Sequence, residues 1–214
     1  NGTISLTLAA IAFGIKPGDE VIIPNYTMIA TANSIKLIGA VPVFVDVEPN
    51  TLCIDLDVLK KAVSSKTRAV IFMNANGRYP SYGIEQLEHY CNNEKFILIE
   101  DSAQALGSFY PDGRHMGLAG SIGSFSFSMP KIITTGQGGA LITNSNIISE
   151  KIRKLKDFGR TTSGVDIHDT FGINSKFTDL QAVVGIEQMK KIEYRVKRKK
   201  EIFSRYKNNL KELS

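Results

Sequence analysis

Short apolar segments recur along the first two thirds of the chain, and each is bounded by turn residues. Glu20-Val21-Ile22-Ile23-Pro24 and the run TRAVIFM at 67–73 are typical, because both are rich in β-branched residues and too short for buried helices. Glycine, proline and aspartate cluster between such runs, as in the turn at 16–19. The pattern predicts strands over residues 20–24, 41–46, 67–73, 96–99, 124–128 and 140–143.

Longer segments between these runs place apolar residues at helical spacing. They predict helices over residues 4–13, 27–37, 55–62, 84–92, 147–158 and 178–210. Strands and helices therefore alternate, and a hairpin signal appears only between the last two predicted strands. This order predicts an α/β fold with a mostly parallel sheet that is buried on both faces.

The composition fits an ordinary globular domain. The 214 residues are 43% hydrophobic and 22% charged, which is enough for one large core. No apolar run approaches the roughly 18 residues that span a bilayer, so we expect no membrane partner. The two cysteines, Cys53 and Cys91, form neither a disulfide framework nor a metal-binding spacing. We therefore expect no metal site and a reducing, cytoplasmic location.

The net charge of +5 raises the question of nucleic-acid binding. Most of the excess lies between residues 190 and 211, where basic residues alternate with apolar ones at helical spacing. This pattern is typical of an amphipathic helix with a solvated basic face, and we expect no nucleic-acid partner. The apolar positions of this segment are Ile192, Val196, Ile202, Phe203, Tyr206 and Leu210.

One lysine stands at an unusual place. Lys131 lies between the apolar runs 124–128 and 140–143, just before the glycine-rich turn at 136–139. A lysine amine that is partly desolvated becomes a nucleophile able to form a Schiff base with a carbonyl group. Taken alone, however, a lysine in such a position is usually a solvated loop residue.

Other polar residues follow the predicted strands or begin a predicted helix. Asp101 comes directly after the apolar run 96–99, with Gln104 three residues further on, and Ser126 precedes Lys131. Sites in open α/β sheets gather at the carboxyl ends of the strands. Singly, Asp101 has the ordinary role of capping a helix that begins at Ser102.

Together these residues match the needs of one cofactor. A pyridinium nitrogen needs a carboxylate, a phosphate needs N–H and hydroxyl donors, and an aldehyde needs an amine. Gly2 and Thr3, at the start of the first predicted helix, expose backbone N–H groups that suit an anion, although a plain helix cap explains them as well. The set indicates pyridoxal 5′-phosphate (PLP) bound through a lysine.

The whole chain resembles the large domain of the DegT/DnrJ/EryC1/StrS family of PLP-dependent sugar aminotransferases, which have the aspartate-aminotransferase fold (type I). Many motifs carry the resemblance in the order in which the family has them, so it is far more specific than a single glycine pattern. They are NGT at 1–3, GIKPGDEVIIPNYTMIATANSI at 14–35, GAVPVFVDVEP at 39–49, IEDSAQALGS at 99–108, GSFSFSMPKIITTGQGGALIT at 123–143 and GINSKFTDLQAVVGIEQM at 172–189.

The resemblance implies catalytic roles for two residues. Lys131 would form the Schiff base with the cofactor and later move a proton. Asp101 would pair with the pyridinium nitrogen and keep the ring an electron sink. The resemblance also implies that Gln104 approaches the phenolic oxygen of the cofactor.

The resemblance also implies a phosphate site shared between two subunits. Gly2, Thr3 and Ser126 would hold the phosphate group within one subunit. Asn174 would reach the phosphate of the neighbouring subunit's cofactor, which implies a homodimer with shared active sites.

Three positions depart from the family pattern. The family usually has an aromatic residue stacked on the cofactor ring where this chain has Met28, and a methionine can pack on an aromatic face through its sulfur. Tyr26 is an alternative for this stacking role. Asn74 stands where the family often has histidine, and Gln137 stands where an acidic residue is usual between the glycines.

The resemblance implies a mostly parallel sheet of the seven-stranded type flanked by helices. Residues 1–188 would form the PLP-binding large domain, and residues 189–214 a helix leading to a C-terminal small domain outside this chain. Family members also usually have a few dozen residues before the NGT motif, which we expect to be absent here.

The implied activity is transfer of an amino group, from glutamate, to a keto group of a nucleotide-linked deoxysugar in surface-polysaccharide or related sugar biosynthesis. Three alternatives remain at this point. A PLP-dependent sugar dehydratase of the same fold usually has histidine in place of Lys131. A non-catalytic binding relative would keep the fold alone. A nucleotide-binding oxidoreductase would need a G-x-G-x-x-G motif after an early strand, which the chain lacks. The sugar, and the carbon that is aminated, do not follow from the sequence.

Overall fold

A computed structural model describes residues 1–162 and 164–211. Ser163 and residues 212–214, which fall in the predicted segments 1–188 and 189–214, lie outside the described residues. The described chain folds around one sheet of six strands in the order β2-β1-β3-β4-β5-β6. The strands are β1 (Glu20–Pro24), β2 (Val41–Val45), β3 (Thr67–Met73), β4 (Ile97–Asp101), β5 (Ile122–Ser126) and β6 (Gly139–Ile142).

Helices connect most of the strands. A 3-10 turn, Ala75–Gly77, follows β3 directly. The α-helices are α1 (Gly2–Ala12), α2 (Ile29–Lys36), α3 (Leu56–Ala62), α4 (Ile84–Glu94), α5 (Asn146–Leu155), α6 (Asp179–Met189) and α7 (Ile192–Asn209).

The predicted α/β fold with a mostly parallel sheet is confirmed. Strands β1 to β5 pair in parallel, and β6 pairs antiparallel with β5, with Gly123 opposite Ile142. The described residues form six strands, where the resemblance implied a sheet of the seven-stranded type.

The sheet separates two apolar cores, because successive side chains of a strand point to opposite faces. Along β3, Val70 and Phe72 belong to the core that also contains Leu98 of β4. Ala69 and Ile71 belong to the other core, which α1 and α2 cover. Both faces of the central strands are therefore buried, and their carboxyl ends meet at one edge of the sheet.

The single helix predicted over residues 178–210 is wrong, because two helices occupy this segment. Helix α6 ends at Met189 and α7 begins at Ile192. The two helices pack against different loops: a Cβ atom on Gly185 of α6 would lie 3.2 Å from Cγ2 of Thr135, and one on Gly107 would lie 2.9 Å from Cγ2 of Val196 of α7. The break between α6 and α7 therefore follows from these different packing partners. No glycine or proline marks the break in the sequence.

Helices α6 and α7 share one property: neither contains a buried residue. The predicted boundary after residue 188 falls at the last turn of α6. None of the helices in the described part of the chain is both long enough and apolar enough to cross a membrane.

Candidate active site

The candidate site lies at the carboxyl ends of β4 and β5. These strands are neighbours, with Asp101 opposite Ser124. The N–H of Ser102 donates a hydrogen bond to the carbonyl oxygen of Ser124 at 2.9 Å, which continues the pairing one residue beyond β4. Asp101 and Ser126, both singled out from the sequence, therefore stand at the same edge of the sheet.

Asp101 is a buried carboxylate with only 5% of its surface exposed. Its Oδ2 accepts a hydrogen bond from Oγ1 of Thr31 at 2.8 Å, and its Oδ1 accepts one from the N–H of Ala103 at 3.2 Å. Burial raises the pKa of Asp101, while these two hydrogen bonds and the positive charge of Lys131 act in the opposite direction. The carboxylate is thus poised to gain from a further cationic partner.

Sequence reasoning missed the two threonines that support Asp101. Thr31 is fully buried in the first turn of α2, and its hydroxyl lies 2.8 Å from that of Thr27. The available signal was the four-residue spacing of Thr27 and Thr31, which places two hydroxyl groups on one side of a helix start. The spacing did not identify their partner, because Asp101 is seventy positions away along the chain.

Lys131 lies on the loop that joins β5 to β6, and its side chain is half-buried. Its N–H donates to the carbonyl oxygen of Ser128 at 3.1 Å. The loop is closed behind it, since the N–H of Thr135 donates to the carbonyl oxygen of Phe127 at 2.9 Å. Gly136 turns the chain with a φ of +76°, a conformation that favours glycine. The lysine is therefore held on a hydrogen-bonded loop beside β5.

The start of α1 contacts the end of β5. A Cβ atom on Gly2 would lie 3.1 Å from Cβ and 3.5 Å from Oγ of Ser126. Asn1 caps the helix by accepting the N–H of Ile4 at 3.1 Å. The first N–H groups of an α-helix have no acceptor within it, so those of Gly2 and Thr3 are available beside the Ser126 hydroxyl. The structure thus brings the helix start that was predicted to suit an anion next to Ser126, and anion binding at this place stays a prediction.

A second hydroxyl group enlarges this arrangement. The Oγ of Ser128 lies 3.1 Å from Oγ of Ser126. The sequence pattern of alternating serine and phenylalanine at 124–128 contains this information, since residues two apart share one side of an extended chain. Ser128 was nevertheless not singled out.

Gln104 is oriented by the backbone that follows β3. Its Oε1 accepts a hydrogen bond from the N–H of Asn76 at 3.0 Å. Asn76 has a left-handed conformation with a φ of +52°. The N–H of Asn76 fixes the oxygen of Gln104, so the NH₂ group of this exposed side chain is left as a hydrogen-bond donor for a ligand.

A buried network lies on the opposite face of β4. The carboxylate of Glu100, which is fully buried, accepts hydrogen bonds from the N–H groups of Gly117, Ala119 and Gly120 and from the hydroxyl of Tyr110. The amide of Asn74 donates to that hydroxyl at 2.9 Å. Asn74, which departs from the family pattern, therefore belongs to the packing beneath the site.

Two further residues of the predicted site, Met28 and Asn174, are exposed. Met28 precedes α2 and is 64% exposed. Asn174 is also exposed and forms an isolated antiparallel bridge with Asp157. The described residues thus bring Asp101, Lys131, Gly2 and Ser126 together but leave Asn174 on a separate loop.

Known proteins are similar to this chain in sequence and in fold. The chain is 36% identical over 210 residues to GDP-perosamine synthase from Vibrio cholerae, covering 98% of this chain and 56% of the relative. It is also 36% identical over 216 residues to the putative pyridoxal phosphate-dependent aminotransferase EpsN from Bacillus subtilis, covering 98% of this chain and 55% of the relative. The chain thus spans a little over half the length of these relatives.

A solved structure shows the same architecture. The crystal structure of a DegT DnrJ EryC1 StrS aminotransferase from Brucella abortus superposes with a TM-score of 0.91 at 30% sequence identity, covering 99% of this chain and 58% of that one. The model of the DegT/DnrJ/EryC1/StrS aminotransferase family matches residues 1–214, which is the entire chain. The chain belongs to the DegT/DnrJ/EryC1/StrS aminotransferase family.

Proposed function

We propose that the protein containing this chain is a PLP-dependent aminotransferase that moves an amino group from glutamate to a keto group of a nucleotide-linked deoxysugar. The observation that carries the proposal is the buried carboxylate of Asp101 under the influence of the Lys131 charge. A buried carboxylate beside a lysine suits a ligand with two groups: a positive charge that pairs with the carboxylate, and a carbonyl group that reacts with the lysine amine.

The residues present fit PLP. The phosphate group would bind beside Gly2, where N–H groups at the start of α1 lie close to the hydroxyl of Ser126. A Cβ atom at position 2 would crowd Ser126. The ring nitrogen finds a buried carboxylate in Asp101, and the aldehyde finds the amine of Lys131. When bound, PLP supplies an electron sink that stabilises negative charge on the carbon bearing the amino group.

In this proposal Lys131 has two tasks. Its Nζ holds the cofactor in the resting enzyme, and after an amino donor has taken that place it acts as an acid and base. It removes the proton from the carbon that bears the amino group of the donor and returns it on the cofactor side. Backbone hydrogen bonds from Lys131 to Ser128 and from Thr135 to Phe127 fix the part of the loop that carries this lysine.

The remaining site residues hold and tune the cofactor. Asp101 keeps the proton on the ring nitrogen, and the NH₂ group of Gln104 donates to the phenolic oxygen. Gly2, Thr3 and Ser126 bind the phosphate group, for which the hydroxyl of Ser128 is an additional donor. Met28 covers one face of the ring in place of the aromatic residue usual in the family.

The substrate class is proposed from the relatives. GDP-perosamine synthases from Vibrio cholerae and Escherichia coli O157:H7 are each 36% identical to this chain. The name of these relatives supports a nucleotide-linked sugar as the proposed acceptor. We also propose a cytoplasmic location, where nucleotide sugars are used; the free, buried thiols of Cys53 and Cys91 agree with a reducing compartment.

We further propose a homodimer in which Asn174 serves the partner's active site. Helix α6 supports this proposal, because its apolar side chains are uncovered: Leu180 is 83% exposed and Val183 is 61% exposed. An 11-residue helix with no buried residue gains little stability from its own hydrogen bonds, so a covering surface is expected. Asn174, five residues before α6, would be carried to the same interface.

The test of the proposed activity is a half-reaction of the full-length protein. Purified protein loaded with PLP should show a visible absorbance band of the bound cofactor, and glutamate should shift that band and release 2-oxoglutarate. Lys131→Ala should abolish both the band and turnover, whereas Lys61→Ala, an exposed lysine of α3, should leave both unchanged. Turnover that persists in Lys131→Ala, or no response of the wild type to glutamate, would refute the proposal. A screen of keto-sugar nucleotides then identifies the acceptor.

A further inference from the structure

We infer that Thr31 positions the carboxylate of Asp101 for the ring nitrogen of the cofactor, and that Thr27 holds the Thr31 hydroxyl in the donating orientation. This inference rests on the proposed use of PLP. It assigns a role to two hydroxyl groups that lie within the motif at 14–35 but that the sequence prediction did not single out.

The geometry around Thr31 is fully specified. Its side chain is inaccessible to solvent, and its Oγ1 lies 2.8 Å from Oδ2 of Asp101 and 2.8 Å from Oγ1 of Thr27. Among the described residues, Thr31 is the only side chain that hydrogen-bonds to Asp101; the second donor is the backbone N–H of Ala103. One carboxylate oxygen therefore depends on a single hydroxyl group for its orientation.

Counting hydrogen atoms fixes the direction of this chain of hydroxyl groups. Each threonine hydroxyl has one hydrogen, and an ionised carboxylate can only accept. Thr31 therefore donates to Asp101, and a hydrogen bond between the two threonines can only be donated by Thr27. The sulfur of Met73, 3.1 Å from Oγ1 of Thr27, is a weaker competing acceptor for the Thr27 hydrogen. If Asp101 were protonated, all these bonds could reverse, with Met73 as the last acceptor.

The direction of donation matters because a hydrogen bond to a charged oxygen is stronger than one between neutral groups. The observed chain thus favours the ionised form of Asp101 in a site where burial disfavours it. The position of Thr31 in the first turn of α2 adds to this effect, since the positive end of a helix dipole also favours a nearby negative charge.

Thr7 offers a matched control. It is also a buried threonine in a helix, and its hydroxyl donates to the carbonyl oxygens of Thr3 and Ser34 at 3.0 and 3.2 Å. Its hydroxyl thus joins α1 to α2 without a hydrogen bond to Asp101. Replacing either threonine by valine removes a buried hydroxyl of the same size, but only Thr31→Val removes a donor to Asp101.

The experiment measures binding of two ligands to the full-length protein by calorimetry. One is pyridoxamine 5′-phosphate, and the other is its 1-deaza analogue, in which carbon replaces the ring nitrogen. Thr31→Val should weaken binding of pyridoxamine 5′-phosphate about tenfold, the effect expected for one lost hydrogen bond to a charged group, and change binding of the analogue little. Thr31→Ser should restore the wild-type affinities, and Thr7→Val should not alter the ratio of the two affinities.

If Thr31→Val leaves the ratio of the two ligand affinities unchanged, either because both weaken equally or because neither changes, the inference is overturned. Thermal melting establishes whether each variant is folded, and Thr31→Ala replaces Thr31→Val if the valine is not tolerated. A wild-type protein that fails to bind pyridoxamine 5′-phosphate would instead overturn the proposed function, so the two failures are distinguishable.

Discussion

A Cβ atom on Gly2 would lie 3.1 Å from the Cβ of Ser126, so the first turn of α1 rests directly on the end of β5. The contact brings together two distant parts of the sequence that we propose bind the phosphate group. A side chain at position 2 would make a tight contact, to which Ser126 would have to yield by a few tenths of an ångström.

Gly2→Val should therefore impair phosphate binding. The added side chain would push α1 from Ser126 and displace the helix N–H groups, so we expect pyridoxamine 5′-phosphate to bind about tenfold or more weakly. Calorimetry with pyridoxamine, which has no phosphate, provides the control. Equal losses for both ligands would show that the site is damaged as a whole and would contradict a specific phosphate seat.

Asp101→Asn should make the cofactor-free protein less sensitive to pH. Burial raises the pKa of Asp101 above its ordinary value of 3.8, so the folded protein holds this proton more tightly than the unfolded chain. The contribution of Asp101 to stability is thus present below pH 3.8 and is lost as the pH rises through the raised folded-state pKa. We expect Asp101→Asn to melt at or above the wild-type temperature at pH 7 and to lose this advantage towards pH 4.

Asp46→Asn is the control of opposite sign. The N–H of Val47 and the amide of Asn25 lower the pKa of Asp46, so its contribution to stability is present at neutral pH and is lost on acidification. Melting curves at several pH values distinguish the two cases. The quantity to compare is the melting temperature of Asp101→Asn minus that of wild type. A smaller value of this difference at pH 7 than at pH 4 would contradict the prediction.

Met28 and Tyr26 can be compared directly as the residue that covers the cofactor ring. If Met28 has this role, Met28→Ala should weaken binding of pyridoxamine 5′-phosphate severalfold and Tyr26→Ala should have little effect. Met28→Phe, which restores the aromatic residue usual in the family, should bind at least as tightly as wild type. The reverse ranking of the two alanine variants would assign the ring face to Tyr26.

Mixed dimers test whether Asn174 acts across the subunit interface. Full-length Lys131→Ala and Asn174→Ala variants are each expected to be impaired. A hybrid dimer would contain one site with both residues intact, so random mixing should restore about a quarter of the wild-type activity. The measurement is turnover before and after the two variants are mixed and allowed to exchange subunits. No gain on mixing would indicate that Asn174 serves its own subunit, or that the protein does not form this dimer.

Glu100→Gln should destabilise the protein while leaving the cofactor contacts in place. The amide would present N–H groups to backbone donors that now meet a carboxylate, at a cost of about 3 kcal/mol or more. For a domain of this size the melting temperature should fall by roughly 6–12 °C. Glu94→Gln, an exposed change in α4, should have no measurable effect. Equal melting temperatures for both variants would disprove a structural role for the buried carboxylate.

Periodicity predicted the central strands of the sheet well because they are buried on both faces and read as continuous apolar runs. The strand predicted over 67–73 is observed as Thr67–Met73 and that over 20–24 as Glu20–Pro24. The prediction of a single helix over 178–210 failed because the local pattern continues through Lys190 and Lys191, whereas α6 packs near Thr135 and α7 packs near Gly107.

Asp101 and Lys131 could be singled out from the sequence because each has a distinctive chemistry close to a strand end, and their roles stay predictions. The sequence did not identify Thr31, since a threonine in a helix of small residues has many ordinary roles and its partner lies on another element. The charged residue Glu100 was equally uninformative from sequence alone. Its partners are mainly backbone N–H groups, which every residue except proline possesses.

Adjacent acids at the end of β4 have a consequence for folding accuracy. Glu100 and Asp101 point to opposite faces of the sheet, where one meets backbone donors and the other meets the Thr31 hydroxyl. A slip of β4 by one residue would exchange the two faces and bury both carboxylates among unsuitable neighbours. The two acids therefore favour one register of β4, since only the correct alignment satisfies both of them. The same alignment places Asp101 at the candidate site.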